Sequence, residues 1–357
     1  MIYFVTVDIT NVGGIERSLS TLGSELAAQG QSVTVVSCFK NNHRPKFFFP
    51  GVKIKYLIDG HADFIGDGIV LKIFNYAKCF ICLARFFGQS KSGKVISVYP
   101  MLSVLLTFIL NQKVHKLYGW EHSQYAGHSR ILNILRKLRY RRLKTLFVLT
   151  DLERRYYVKY GVDIHVLPNP VELVSFNKRT RKDPRIIFVG RMSSEKSPEK
   201  FLHIISAFKN QFGDRFSAKM YGAGELASRV KTLINELGLG SNVGLITDCT
   251  NQEIIYDADV LVSTSRTEVF GIALVEAMGH GLITFASNIC NGPKFLIKNG
   301  ENGFLVEIDD VSSVASLMTE VLNDRRVSLL VSRSARETFM HYSAPVIAKR
   351  LLDYIYE

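Results

Sequence analysis

Ile2-Tyr-Phe-Val-Thr-Val7 is followed by Asn11-Val-Gly-Gly14, then by Ile15, Leu19, Leu22 and Leu26 up to Gly30, then by Ser32-Val-Thr-Val-Val-Ser-Cys38. The first and last runs have the short apolar character of buried strands. The four apolar residues between them repeat at helical spacing. The glycine pair supplies a turn and Gly30 a stop. This is one complete strand-turn-helix-strand unit, and such units build parallel sheets. The alternation continues. Lys53–Ile58, Lys94–Val98, Val114–Tyr118 and Leu146–Leu149 read as further strands. A second series runs through Arg185–Gly190, Phe216–Tyr221, Val243–Leu245, Val260–Ser263, Ile283–Ala286 and Phe304–Val306. Two α/β units are therefore expected. Val166-Leu-Pro-Asn-Pro-Val171 marks their boundary, because two prolines remove donors and stiffen the chain. The first domain is expected to span 1–167 and the second 168–340. Ligands of open parallel sheets sit beyond the carboxyl ends of the strands, so a cleft between the two sheets is the expected site.

The 357 residues suffice for two full cores, and an apolar fraction of 47% with 22% charged residues describes a globular protein. The longest apolar stretch, Val95 to Leu110, is short for a membrane span and contains Pro100, so it reads as strand, turn and helix. The start lacks the basic segment and cleavage site of a signal peptide. Five cysteines point to free thiols in a reducing compartment, and Cys79 and Cys82 read as core neighbours. A cytoplasmic protein is expected. The net charge of +13 is uneven: residues 1–168 hold 23 Lys and Arg against 10 Asp and Glu, and residues 169–357 hold 22 of each. The excess is densest in Arg130–Lys144, a basic amphipathic stretch. It fits a solvated helix with snorkelling side chains, an anionic membrane surface, or a phosphate-bearing acceptor. No recognised nucleic-acid motif accompanies the charge, and no nucleic-acid partner is expected.

The chemistry is concentrated in Thr267-Glu268-Val-Phe270-Gly271-Ile-Ala-Leu-Val-Glu276-Ala-Met278. The apolar pattern from Ile272 onward reads as a helix packed on most sides. Glu268 falls in the loop before it and Glu276 in its first turns. A ligand across the helix N-terminus could meet both carboxylates and the unpaired N–H groups. An ordinary loop and buried helix fit this window as well. Gly190-Arg191-Met-Ser-Ser-Glu195-Lys196 follows a strand end and places two cations five residues apart. They suit a diphosphate or a solvated loop. Gly13-Gly14 allows close backbone approach to an anion, or simply a tight turn. His122, in Trp120-Glu121-His122-Ser123, lies just past a strand end, where it could bond a sugar hydroxyl, move a proton or serve the fold.

In order and spacing these pieces resemble the large retaining glycosyltransferase family with two facing Rossmann-like domains, the GT-B architecture of the family-four type. The resemblance spans nearly the whole chain. It rests on Gly13-Gly14-Ile15-Glu16-Arg17, Leu167-Pro-Asn-Pro170, Val189-Gly-Arg191 with Glu195-Lys196, the Glu268–Glu276 window, and Asn299-Gly-Glu-Asn-Gly-Phe-Leu305. It implies that Arg191 and Lys196 neutralise a donor diphosphate and that Glu276 accepts bonds from the ribose. Glu268 would face the transferred sugar, while Phe270 and Gly271 hold the distal phosphate through backbone donors. Gly13 and Gly14 would admit acceptor and phosphate, His122 would line the sugar pocket, and the Gly222-Ala-Gly224 turn would lie near the nucleotide. The C-terminal helix, from about 341 onward, would return to the first domain. No metal and no cofactor are expected, since two cations can stand in for a divalent ion. The implied reaction moves a sugar, with retention, from a nucleoside-diphosphate donor, a UDP-sugar being favoured, to a lipid-linked or lipopolysaccharide glycan at the inner face of the plasma membrane. Retention could come from attack on the leaving-group face or from a carboxylate nucleophile, for which Glu268 is the candidate. A non-hydrolysing nucleotide-sugar epimerase and a non-catalytic sugar-nucleotide-binding subunit are the competing readings. Three positions depart from the family's pattern: Val269 and Ser197 replace common glycines, and Lys294 stands where an acid is frequent.

Overall fold

The computed structural model describes residues 1–60, 68–172, 183–247 and 258–357. The chain divides into two compact units, Met1–Pro170 with Ala344–Glu357, and Val171–Ser343.

In the first unit the strands are β1 (Ile2–Asp8), β2 (Val33–Lys40), β3 (Lys53–Asp59), β4 (Gly93–Ser97), β5 (His115–Glu121), β6 (Thr145–Val148) and β7 (Ile164–Val166). They form one sheet in the order β3-β2-β1-β4-β5-β6-β7, every pair parallel. Its helices are α1 (Gly14–Ala28), α2 (Ile69–Gln89), α3 (Pro100–Ile109), α4 (Arg130–Arg139) and α5 (Asp151–Tyr157). All seven residues of β1 are buried, as a strand covered on both faces requires. Val95–Leu110 is β4 followed by α3, with Pro100 at the first helical turn where its missing N–H costs nothing. Two readings shift. β5 runs on through Trp120 and Glu121, so both belong to the strand, and Trp120 is buried with its Nε1 donating to the Leu167 carbonyl at 2.9 Å. In α4 the basic stretch is not uniformly outward. Arg136 is fully buried, pairs with Glu121 at 2.8 Å, and lies 5.5–5.7 Å from the ring centres of Tyr125, Tyr140 and Tyr157. A buried guanidinium is tolerable because the carboxylate and the ring faces replace its water.

In the second unit the strands are β8 (Arg185–Val189), β9 (Ser217–Tyr221), β10 (Val243–Ile246), β11 (Val260–Ser263), β12 (Ile283–Ser287) and β13 (Phe304–Val306), ordered β10-β9-β8-β11-β12-β13 and again all parallel. Its helices are α6 (Pro198–Phe212), α7 (Ala227–Glu236), α8 (Ile272–Gly279), α9 (Asn291–Leu296), α10 (Val311–Asn323) and α11 (Arg325–Met340). The last helix, α12 (Ala344–Tyr356), belongs to the first unit, where it packs against α1. Both sheets are of the Rossmann type. In each, strand order reverses at one point, between β1 and β4 in the first and between β8 and β11 in the second. Connections leaving the two sides of a reversal diverge and open a crevice at the carboxyl ends of those strands.

Candidate functional site

In the second unit the chemistry-bearing residues lie on the loops that leave β8 and β11, the two strands flanking its reversal. Arg191 is exposed and Lys196 half-buried on the first loop; Glu268 is half-buried on the second. Lys196 Nζ donates to Glu268 Oε2 at 2.5 Å, although 72 residues separate them. Arg191 has no ion-pair partner among the described residues, so it is the uncompensated cation here. The backbone ties the same loops together. Arg266 N–H donates to the Glu195 carbonyl at 2.7 Å, and the buried Thr264 hydroxyl sits 3.0 Å from the Lys196 carbonyl and 2.9 Å from that of Ser197.

Ser197 shows why glycine is common at its position. Its φ is 47°, the one positive value outside glycine among the described residues. The Thr264 hydroxyl and the Ser197 Oγ, which donates to the Ser194 carbonyl at 3.1 Å, hold that conformation against its steric cost.

The first loop rests on Gly222-Ala-Gly224, which follows β9. Both glycines have positive φ, 142° and 155°. A Cβ on Gly222 would lie 2.0 Å from the Gly190 carbonyl oxygen, and one on Gly224 would lie 2.3 Å from that of Met192. Met192 N–H bonds the Ala223 carbonyl and Leu226 N–H that of Met192, both at 2.9 Å. These glycines let one loop lie flat under the next and so set the position of Arg191.

Gly271, with φ of 96°, precedes α8. The N–H groups of Gly271, Ile272 and Ala273 have no partner among the described residues, which leaves a donor-rich helix start with its positive dipole end. Phe270 is buried, with its ring edge-on to Tyr342, and Gly292 of α9 packs against its backbone. Gly292 N–H donates to the Glu268 carbonyl at 2.9 Å, which fixes the loop behind its carboxylate. Glu276 is buried in α8. Lys294 is exposed on α9. Asn299–Leu305 is a turn held by its own side chains: Asn299 Oδ1 accepts from Leu305 N–H and Asn302 Oδ1 from Lys298 N–H. The one Asp-x-Asp spacing in the sequence is Asp257-Ala-Asp259. Asp257 lies outside the described residues, and Asp259 accepts from Arg185 N–H at the opposite, amino end of the sheet.

The first unit holds Gly13, Gly14 and His122. His122 lies just past β5, its ring 4.3 Å from that of Trp120. Burial pushes its pKa down to about 3, with a bond to Asn169 opposing the shift. It is a neutral imidazole near pH 7, suited to hydrogen bonding a hydroxyl and a poor proton acceptor. Gly13 and Gly14 open α1, but the turn is not vacant. The Glu16 carboxylate folds back over it, 2.7 Å from where a Gly13 Cβ would stand. Glu16 is 4% exposed, and burial raises its pKa to about 7; the nearby Asp8 pushes the same way, against bonds to its own backbone N–H and to Tyr99. The sequence reading missed this pair. Asp8 accepts from Thr10 N–H at 2.8 Å and from Asn41 N–H at 2.9 Å.

A raised carboxyl pKa favours the folded state below the unfolded value near 4.5, and the advantage is lost as pH rises to about 7. Glu16→Gln should therefore flatten the fall in stability between pH 4.5 and 7. The variant should gain on the order of 1–3 kcal/mol over the parent at pH 8. Denaturant titrations of both proteins at pH 5 and pH 8 measure this, and parallel pH profiles would refute it.

Two parallel Rossmann-like units, one of them with cations and a carboxylate at its strand reversal, are the marks of the GT-B fold class. Residues 171–338 match the family described as glycosyl transferases group 1. It is 26% identical over 352 residues to GalNAc-alpha-(1->4)-GalNAc-alpha-(1->3)-diNAcBac-PP-undecaprenol alpha-1,4-N-acetyl-D-galactosaminyltransferase of Campylobacter jejuni, covering 97% of this chain and 96% of the relative. In fold it is similar to TarM of S. aureus, solved with fondaparinux, alpha-GlcNAc-glycerol and UDP (TM-score 0.82, 16% identity, 100% of this chain and 99% of the other). Sucrose-phosphate synthase of Thermosynechococcus elongatus is equally similar (TM-score 0.82, 18% identity, 99% and 98% covered).

Proposed function

We propose that this glycosyltransferase moves a hexose or N-acetylhexosamine, with retention and without a metal ion, from a nucleoside-diphosphate sugar to a lipid-linked or surface-polysaccharide acceptor. The observation that carries this reading is the Lys196–Glu268 pair at the β8/β11 reversal, with Arg191, which has no ion-pair partner among the described residues, on the same loop as Lys196 and the α8 N-terminus just after Glu268. Without ligand, Lys196 is neutralised by Glu268. A diphosphate arriving at Arg191 and the free N–H groups competes for Lys196. Its capture releases the Glu268 carboxylate toward the sugar hydroxyls. As the anomeric bond breaks, charge develops on the diphosphate, where fixed cations and N–H donors stabilise it most. Glu276 accepts from the ribose, and the neutral His122 bonds the sugar. A UDP donor is supported by the UDP in the TarM structure, and a lipid-linked acceptor by the undecaprenol-linked substrate in the Campylobacter relative's name.

The acceptor reading extends to the membrane. No helix among the described residues is long and apolar enough to cross one. On the first unit, however, α2 exposes Val70, Ile73, Phe74 and Ile81, and α4 exposes Ile131, Ile134 and Leu138 among its cations. Apolar and basic side chains together suit peripheral attachment to an anionic bilayer.

A thermal-shift series with UDP-, GDP- and ADP-sugars tests the donor, since a ligand bound only by the folded state raises the melting temperature. A shift with a UDP-sugar that persists in EDTA is expected; no shift with any of them overturns the donor reading. Flotation with phosphatidylglycerol vesicles at low salt tests the membrane part, which fails if the protein stays with the soluble fraction.

A further inference from the structure

Between Gly68 and Thr150 the chain carries fourteen Lys and Arg and a single acid, Glu121. That acid is buried and spent on Arg136. Every other cation of this stretch is without a local counter-charge in sequence, and the fold gathers four of them around one cavity. Lys116, Arg141, Arg142 and Lys144 line a recess of about 500 Å³ in the first unit, with Gln112 and a floor of buried leucines. None of the four has an ion-pair partner among the described residues, and all four are exposed.

The backbone builds the recess rather than chance side-chain placement. Lys116 is the second residue of β5, and Lys144 immediately precedes β6, its N–H donating to the Leu117 carbonyl at 2.8 Å. The parallel pairing of β5 and β6, with Tyr118 opposite Thr145, thus brings both residues to the same end of the sheet. Gln112 Nε2 donates to the Arg142 carbonyl at 3.0 Å and closes the rim. The opening is at the amino ends of β5 and β6. His122 lies at the carboxyl end of β5, so this recess is at the other edge of the sheet from the groups assigned to the sugar. Four like charges held together repel one another, and an anion of high charge density relieves that repulsion while taking bidentate bonds from two guanidinium groups.

We propose that this recess is a binding site for a pyrophosphate or closely spaced phosphate groups, borne either by a soluble molecule or by a lipid headgroup. It is built from the first unit alone and does not depend on the donor reading of the second. Its volume falls in the range of ligand pockets, and two adjacent phosphates match the four cations in charge.

Isothermal titration with inorganic pyrophosphate at low salt is the test. In Lys196→Ala, which disables the proposed donor site, pyrophosphate should still bind, and adding Arg141→Ala/Arg142→Ala should weaken that remaining binding about tenfold or more. The single charge reversal Arg142→Glu should do the same, with far-UV circular dichroism confirming that these exposed positions leave the fold intact. Loss in Lys196→Ala with normal binding in the Arg141/Arg142 variants would place pyrophosphate in the second unit and overturn the proposal, as would absence of binding. Phosphatidic acid vesicles that displace pyrophosphate identify a headgroup as the natural source. Failure to displace it, with the parent binding intact, identifies a soluble one.

Discussion

Lys196→Ala is expected to lower turnover by about 10²–10³-fold with the fold intact. Two consequences of the structure combine. On the proposed reading, the variant removes a cation from the place where negative charge would develop on the departing diphosphate. It also leaves Glu268 without the ammonium that holds it at 2.5 Å, so the carboxylate meets the donor phosphates as a naked like charge. Donor binding should weaken along with turnover. Lys196→Ala/Glu268→Gln should recover part of the binding but little of the rate, because it removes the repulsion without restoring the cation. Initial rates at saturating and sub-saturating donor separate these effects. Near-normal turnover in Lys196→Ala would remove this residue from the diphosphate assignment.

Gly222→Ala is expected to cost about 3 kcal/mol or more, the largest stability effect among the substitutions considered. The added Cβ would lie 2.0 Å from the Gly190 carbonyl oxygen, and φ of 142° is closed to alanine by its own backbone. Neither problem is solved by rotating a side chain. Either the loop after β9 moves or the loop after β8 does, and the second bears Arg191. Protein that still folds should therefore bind donor poorly although no donor contact has been deleted. Chemical denaturation with and without UDP measures both effects. A stability within 1 kcal/mol of the parent would show that the two loops are not locked as described.

The strand series was legible because parallel strands are buried on both faces and read as unbroken apolar runs. Ile2–Asp8 and Val260–Ser263 are examples. β7 was not, because its three residues, Ile164-His-Val166, merge into the proline segment and leave no period to detect. The residues of the proposed donor site were legible as separate loops. That Lys196 and Glu268 touch was not, since the contact depends on β8 and β11 being neighbours despite the intervening strands β9 and β10. Thr264 escaped for a related reason: Ser263-Thr-Ser265 has no pattern, and the hydroxyl matters only through two carbonyls some 67 residues away. Arg136 was misread because a cation on an amphipathic helix looks solvated until its partner, Glu121 on another element, is known. The Gly13-Gly14 turn was legible as a turn, but its occupant was not. Glu16 was already part of the quoted motif, and three residues of helix bring its carboxylate back over the glycine.

Helix α12 brings the end of the chain back to its beginning. Ile347, Leu351 and Ile355 are buried in the first unit, Tyr118 Oη donates to the Ile355 carbonyl at 3.3 Å, and the Tyr354 ring lies 4.4 Å from that of His165. On a ribosome, the first 170 residues emerge long before these last fourteen. They wait, with the groove for α12 uncovered, while the whole second unit is made and can fold on its own. The unit that is translated first is thus the one completed last, and a nascent chain cut short anywhere before Ala344 carries an open apolar face however well its other half has folded.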